Sequence, residues 1–498
     1  MLKKSLSSQL NENITAMAAS LKDRAAKGFL WAGLNSVTMQ ILNALFGIVL
    51  ARKLTDADYG LVGMLTVFAL VAGSLQDSGF VTALTNKKDA THKDYNSVFW
   101  FNIVISFCLY VILFFCAPLI AHFYDEPLLT PLSRYYFLGF FIASFSIVPR
   151  AILFRQIKQK ELAIQGLISL LLSGIVGIAM VYNGFAYWGY ATQTLVFNLS
   201  VSILSWYLSG FRPSFSWTSK PIKEMFGFSS KMLITIIFNQ INNNIFSVVL
   251  GKLYTKSEVG TYSQANKWNT MGSSTVTSMV QQVAQPTFVQ VGDDKERLCR
   301  AFSKMLRFTC FVCFPAMFGL SLIAKEFIVI TITERWLPSA NLMQVLCIAG
   351  SFLPIATLYF NMIISRGKSN IYMWNIIAQG CTILATILVV HYMGYDIEEM
   401  VWAYVCIVVL WIVIWQYFVN REIGFSFVQA LKDILPFLLI AAGTMVATYF
   451  ITYQIENIYI LLCSRIIIAA IIYLVVLWIF GAKILKESIG YLIKEKNK

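Results

Sequence analysis

Seven polar side chains recur at steps of three and four along one stretch of this chain: Ser263, Lys267, Thr270, Ser274, Thr277, Gln281 and Gln285. On an α-helix that spacing gathers them on one face for about six turns. A row of hydroxyls and amides suits hydrogen bonding to sugar hydroxyls, and a lysine among them suits an anion. Lys267 stands about two turns inside a stretch of membrane-spanning length, where a cation needs a counter-charge or water. A bound anion would supply that counter-charge. A shorter stripe, Ser36, Gln40, Asn43 and Gly47, is echoed two hundred residues later by Gln240, Asn243, Asn244 and Ser247. The plain alternative is that these groups bond helix to helix, at roughly 0.6–2 kcal/mol each in membranes. That suffices for Ser and Thr; for Lys267 both readings stand.

Other cations sit at boundaries. Arg52 and Lys252 occupy matching positions after the two shorter stripes, where snorkelling to the interface is the simple reading. Arg150, beside Pro149, and Lys231 could attract an anionic headgroup or act as ordinary cytoplasmic anchors. Arg465 lies inside an apolar stretch, from which it would reach the surface. Absences also discriminate. No Asp or Glu occurs between Gly28 and Leu50, and Asp77 is the one acid well within an assigned span. A cavity binding cations usually holds a carboxylate. There is no phosphate-cradling GxxxxGK[ST] motif, and His92, His122 and His391 lack metal-ligand spacing. Cys310 and Cys313 form a CxxC inside an apolar helix without His or acidic companions, which reads as packing. No catalytic constellation, cofactor site or metal site is expected.

The elements that must position these residues are membrane spans. About fourteen apolar stretches approach the roughly 20 residues a helix needs to cross a bilayer. They lie near 28–50, 60–83, 96–118, 132–153, 162–182, 186–208, 226–251, 259–286, 302–324, 339–364, 371–394, 399–420, 433–453 and 458–480. With 58% hydrophobic and 13% charged residues, the 498-residue chain has too little charge to cover a soluble surface. All but nine of the 39 Lys and Arg fall in the N-terminal segment, every second loop and the C-terminal tail. By the positive-inside rule both termini are cytoplasmic. The net charge of +14 is this topology signal, and nucleic-acid binding is not expected. The expected domains are a cytoplasmic lead-in (1–27), an N-lobe (28–208), a linker (209–225), a C-lobe (226–420), a final pair of spans (421–480) and a basic tail (481–498).

The chain also repeats itself. Residues 40–60 and 240–260 align without a gap, identical at Gln40/Gln240, Ile41/Ile241, Asn43/Asn243, Phe46/Phe246, Val49/Val249, Leu50/Leu250, Thr55/Thr255 and Gly60/Gly260. Arg52/Lys252 and Asp58/Glu258 keep their charge. The copies are spans 1 and 7, six spans apart and therefore of like orientation. That implies an all-α polytopic protein of two parallel six-helix lobes, related by a pseudo-two-fold along the membrane normal, plus two C-terminal helices. A central cavity would lie between the lobes.

These features resemble the multidrug/oligosaccharidyl-lipid/polysaccharide exporter superfamily, in particular its bacterial polysaccharide transporter branch of Wzx-type flippases. Ala51-Arg52-Lys53-Leu54-Thr55-Asp56-Ala57-Asp58-Tyr59-Gly60 is similar to that branch's signature after span 1, and Asp77-Ser78-Gly79-Phe80 to its short acidic-glycine turn at the end of span 2. Asp56 stands where relatives commonly carry proline. The resemblance implies transport of an undecaprenyl-diphosphate-linked oligosaccharide across the bacterial cytoplasmic (inner) membrane, with the polyprenyl tail held in lipid by spans 13 and 14. Expected partners are the lipid-linked oligosaccharide and membrane lipid, with a polymerase or other polysaccharide-assembly protein as a further candidate. Expected substrate contacts are Lys267 with the diphosphate, Arg150 and Lys231 with the incoming headgroup, Arg52 and Lys252, and Asn43, Asn243, Asn244, Gln281 and Gln285 with sugar hydroxyls. The alternatives are a cation-coupled multidrug exporter of the same superfamily, and a membrane enzyme such as a polymerase or ligase. The enzyme would need a large outer loop, and the longest outer segments, near 119–131 and 325–338, are short.

Overall fold

The computed structural model describes residues 38–77, 91–156, 158–214, 240, 244, 246–292 and 294–479, and all regular structure among them is helical. The chain divides into two compact units, the first ending at Ile241 and the second beginning at Asn242.

In the first unit, α1 covers the described residues 38–53 and α2 runs Asp56–Asp77. The break between them is chemical. Thr55 donates its backbone N–H and its hydroxyl to the Asp58 carboxylate at 2.9 and 2.6 Å, and the Asp58 N–H donates back to Thr55 Oγ1 at 3.1 Å. This capping box satisfies donors that the first turn of a helix leaves orphaned. The helices α3 (His92–Phe123), α4 (Leu129–Arg155), α5 (Gln159–Met180) and α6 (Ala186–Ser209) complete the unit. A π-helical turn, Val181–Phe185, joins the last two and contains Gly184 at φ +89°, a conformation open to glycine. Where α1 passes α5, a Cβ on Gly174 would lie 2.6 Å from the Phe46 ring, so only glycine lets the two helices meet there.

The second unit starts by repeating that design. The helix α7, described over 246–253, breaks before α8 (Lys256–Val291). Here Thr255 donates its N–H and hydroxyl to the Glu258 carboxylate at 2.9 and 2.8 Å, and the Glu258 N–H returns to Thr255 Oγ1 at 3.4 Å. The repeat read from the sequence is thus a repeated helix–break–helix with the same cap. Beside that break, burial and the acids Glu258, Asp396 and Glu399 push the Tyr254 phenol above its ordinary pKa. It therefore stays protonated and donates to the Tyr395 carbonyl at 2.9 Å.

Seven further helices follow: α9 (Lys295–Leu322), a short α10 (Ala324–Thr331), α11 (Leu337–Ser365), α12 (Ser369–Tyr392), α13 (Ile397–Ile423), α14 (Phe427–Thr452) and α15 (Ile458–Ile479). The segment expected as an outer loop near 325–338 is instead mostly helix, α10 and then a 3-10 turn at Glu334–Trp336. The apolar pattern there was too short to register as a span. The other expected outer loop, near 119–131, shrinks because α3 continues to Phe123 and α4 begins at Leu129. The most enclosed helix is α11, buried at Leu342, Met343, Leu346, Ile355, Leu358, Tyr359 and Met362 against α8, α9 and α13.

Among the described residues, ten helical segments are long and apolar enough to cross a membrane, the longest, Lys160–Ser209, holding both α5 and α6. The protein is an all-α polytopic membrane protein. The helix α8 is long enough, at 36 residues, but is not among the ten, because its polar stripe lowers its hydropathy.

Two ion pairs fasten the last helices to the rest of the second unit. Asp433 on α14 accepts from Ser303 and pairs with Arg307 Nε at 3.3 Å, both on α9. Arg465 on α15 does not snorkel to the surface as its position in an apolar stretch suggested. It is buried, its Nη1 2.7 Å from Glu326 Oε1 on α10 and 3.1 Å from the Leu322 carbonyl, with Tyr449 stacked beside it at 5.4 Å. A buried cation needs such compensation. The carboxylate sits on the short helix taken for a loop, which is why the partner was missed.

Candidate substrate-binding face

The site is built on α8, which has two different faces. One packs inside its own unit: Tyr262, Ala265, Trp268, Val276, Val280, Ala284 and Phe288 are buried, chiefly against α11 and α9. The approach to α11 is close. A Cβ on Gly350 would overlap Asn269 Oδ1 and lie 2.6 Å from Met317 Cε. The other face carries the stripe read from the sequence, with Thr270 and Gln281 exposed and Ser263, Lys267, Ser274 and Thr277 half-buried. In the second unit the polar face of α8 is thus partly open, at Thr270 and Gln281, while most of the apolar face is buried. Gln285 is helical on the same stripe, its side chain outside the described set.

Lys267 is the cation of that face. Its Nζ lies 5.9 Å from the Trp268 ring centroid, and among the described residues no carboxylate pairs with it. The indole contributes an attraction of about 0.5–2 kcal/mol, which does not neutralise the charge. Trp268 is itself fixed, its ring 4.9 Å from Phe327 on α10 and edge-on to it. The arrangement can hold an anion beside a row of hydroxyls and amides. It offers no nucleophile–base pair, and among the described residues no group of three His, Cys, Asp or Glu gathers for a metal.

The remaining expected contacts are distributed as follows. Asn43 is exposed on α1, and Asn244 is helical and half-buried just before the described part of α7. Arg52 and Lys252 are exposed at the ends of α1 and α7, and Arg150 is exposed on α4 near its C-terminal end. Asn243 and Lys231 lie outside the described residues. Lys267, Gln281 and Gln285 share one helix face. Asn43 and Arg52 share a helix but stand about 13 Å apart along its axis.

Two polar groups escaped the sequence reading. Gln264 is fully buried with neither amide atom bonded, and Asn269, also buried, leaves Oδ1 unbonded. Each lies about 100° from its neighbour on the stripe, on opposite flanks of it, so a stricter turn-by-turn reading of residues 262–270 would have separated these two flanking amides from the outer row. Cys310 and Cys313 are both fully buried in the packed face of α9, as expected for packing residues.

The comparisons with known proteins agree with this architecture. The family described as "Polysaccharide biosynthesis protein" matches residues 49–341. The chain is 23% identical over 365 residues to the lipopolysaccharide biosynthesis protein WzxC of Escherichia coli (strain K12), covering 71% of this chain and 72% of that one. It is 24% identical over 436 residues to the teichuronic acid biosynthesis protein TuaB of Bacillus subtilis (strain 168), covering 86% and 89%. Among solved structures it is similar to the lipid II flippase MurJ in an inward closed conformation, with a TM-score of 0.76 at 16% identity over 92% of this chain and all of that one. At that identity the likeness concerns the fold alone. The match over more than half of its length establishes that this chain belongs to the polysaccharide biosynthesis protein family.

Proposed function

We propose that this protein is a flippase that carries an undecaprenyl-diphosphate-linked oligosaccharide from the inner to the outer leaflet of a bacterial cytoplasmic membrane during surface-polysaccharide assembly. The observation that carries the reading is Lys267, a cation without a carboxylate partner among the described residues, set in a row of hydroxyls and amides on the partly open polar face of α8. Names given to relatives, in lipopolysaccharide and teichuronic acid biosynthesis, support the glycan class, and the likeness to MurJ supports a fold able to move a lipid-linked sugar.

In this reading the two units rock in alternating access, and both termini are cytoplasmic. Lys267 pairs with the diphosphate, while Asn43, Asn243, Asn244, Gln281 and Gln285 bond sugar hydroxyls. Arg150 and Lys231 draw the headgroup in from the cytoplasm, and Arg52 and Lys252 receive it at the outer ends of their helices. The polyprenyl tail stays in lipid along α14 and α15, whose outward Leu439, Phe450, Ile467, Ile471 and Trp478 are exposed in the second unit. A cationic drug is a poor fit to this face, since Lys267 would repel it.

The test is glycan analysis in a strain lacking the protein. Lipid-linked repeat units should accumulate on the cytoplasmic side while surface polymer is lost. Unchanged glycans would reject the proposal and direct attention to resistance against amphiphilic drugs.

A further inference from the structure

The first unit holds a cavity of about 460 Å³ that has no part in the polar face of α8. It is lined by His92 and Tyr95 from the start of α3, Ile152, Arg155 and Gln156 from the end of α4, and Phe211 from the segment after α6. Three elements thus converge on it, at the end of the unit that the cation count assigns to the cytoplasm. Pockets that hold small ligands span roughly 300–1,000 Å³, so this one is large enough for a sugar phosphate.

The cavity is constructed rather than incidental. Its floor is apolar and packed, because Ile152 and Phe211 belong to a buried cluster with Val98, Phe99 and Val148. Phe211 cannot swing away, since its segment is clamped onto α3. The Ser214 N–H donates to Asn96 Oδ1 and the Trp100 Nε1–H donates to the Ser214 carbonyl, both at 2.8 Å. His92 lies against Phe211 with ring centroids 5.6 Å apart. Arg155 Nη1 donates to Tyr95 Oη at 3.0 Å, which fixes the guanidinium at the wall. Lys93, Lys158 and Arg212 neighbour the lining residues in sequence. Asp94, next to Tyr95 in sequence, accepts the Thr91 N–H and hydroxyl at 2.8 and 2.9 Å.

A guanidinium held in place presents a planar fork that fits phosphate oxygens in pairs. Beside it, an imidazole over a phenyl ring gives a flat face on which a sugar ring can lie, and Gln156 adds an amide for a hydroxyl. We infer that this cavity is a binding site for a sugar-linked phosphate or diphosphate, with the phosphate on Arg155 and the sugar against His92 and Phe211. The inference rests on the transport reading only for its purpose, a first station where the headgroup docks before it reaches Lys267. The chemistry itself is shared by a lipid-borne diphosphate and a soluble one.

The test is binding of inorganic pyrophosphate and of farnesyl diphosphate to the purified full-length protein in detergent, by calorimetry. The wild-type protein should bind, and Arg155→Gln should weaken binding about tenfold or more, as expected for losing a hydrogen bond to a charged group. Arg155→Lys should recover part of the loss, and Tyr95→Phe should give a smaller one by freeing the guanidinium. Arg300→Gln, the same charge change at an exposed cation of the second unit, should bind as wild type. Tighter binding of farnesyl diphosphate assigns the ligand to the lipid phase, and equal binding assigns it to the phosphate alone. Wild-type affinity in Arg155→Gln, or no binding of either probe by the wild type, overturns the site. Loss of surface polymer in the deletion strain together with unaltered Arg155→Gln binding would sink the site and leave the transport reading intact. Unchanged glycans together with Arg155-dependent binding would do the reverse.

Discussion

At the scale of single residues, Lys267 and Arg465 show how the same problem, a cation packed among the helices of a membrane protein, has two solutions. Arg465 is answered within the protein by Glu326, with side chains only 8% and 10% exposed. Lys267 has no carboxylate partner among the described residues, and in the proposed mechanism its answer is the cargo. Lys267→Ala should therefore abolish or sharply reduce surface polymer while membrane abundance stays at the wild-type level. Lys267→Arg should keep part of the activity, since charge survives but the compact ammonium does not. Full activity of the alanine variant would reject Lys267 as a required anion site. Glu326→Gln should behave oppositely, lowering stability by about 3–5 kcal/mol because it strands a buried guanidinium. Thermal unfolding in detergent reads this directly, and replacing both partners, Glu326→Leu with Arg465→Leu, should restore most of the loss. A Glu326→Gln protein as stable as the wild type would show that the pair is not the compensation it looks like.

At the scale of elements, the paired caps at Thr55 and Thr255 make a symmetrical prediction. Thr55→Ala and Thr255→Ala should each destabilise the following helix by about 1 kcal/mol, the usual worth of an N-cap. Hydrogen exchange should quicken over the first turns of α2 and α8 respectively; a change at one site only would mean that the two breaks are not equivalent. Gly350→Ala should push α8 from α11 and cost about 1–3 kcal/mol, the range for overpacking a filled contact. These elements were unequally legible in the sequence. Long apolar runs and the 3.6-residue stripe fixed the helices and the polar face of α8, because both are periodic properties of a single segment. The repeat was readable because Thr55, Asp58, Thr255 and Glu258 perform a local task, bonding three residues apart. The helix α10, the Glu326–Arg465 pair and the Phe211 cavity were not readable. The helix α10 has too short an apolar run to stand out, and the pair and the cavity depend on residues far apart in the chain meeting in space, which nothing in the local pattern of 324–331 or 211–214 announces.

At the scale of the molecule, the final pair of helices is fastened to the rest of the second unit by two ion pairs, by the Tyr473 hydroxyl donating to the Phe311 carbonyl at 2.9 Å, and by apolar packing. Asp433 meets Ser303 and Arg307 on α9, and Arg465 meets Glu326 on α10. A chain divided between α13 and α14, after Gly424, should therefore yield two fragments that purify together. Combining Asp433→Asn with Glu326→Gln should release the smaller fragment, and continued co-purification would show that the ion pairs are not needed to hold it. The buried pair also sets a condition on biogenesis. Arg465 leaves the ribosome 143 residues after Leu322, whose carbonyl it must find beside Glu326. Until then the translocon handles a helix whose guanidinium alone disfavours insertion by about 2.5–3.5 kcal/mol at the bilayer centre. Only a correctly assembled second unit removes that penalty. A chain that misfolds upstream would therefore leave Arg465 as a bare cation in lipid, so the two ends of this stretch succeed or fail together.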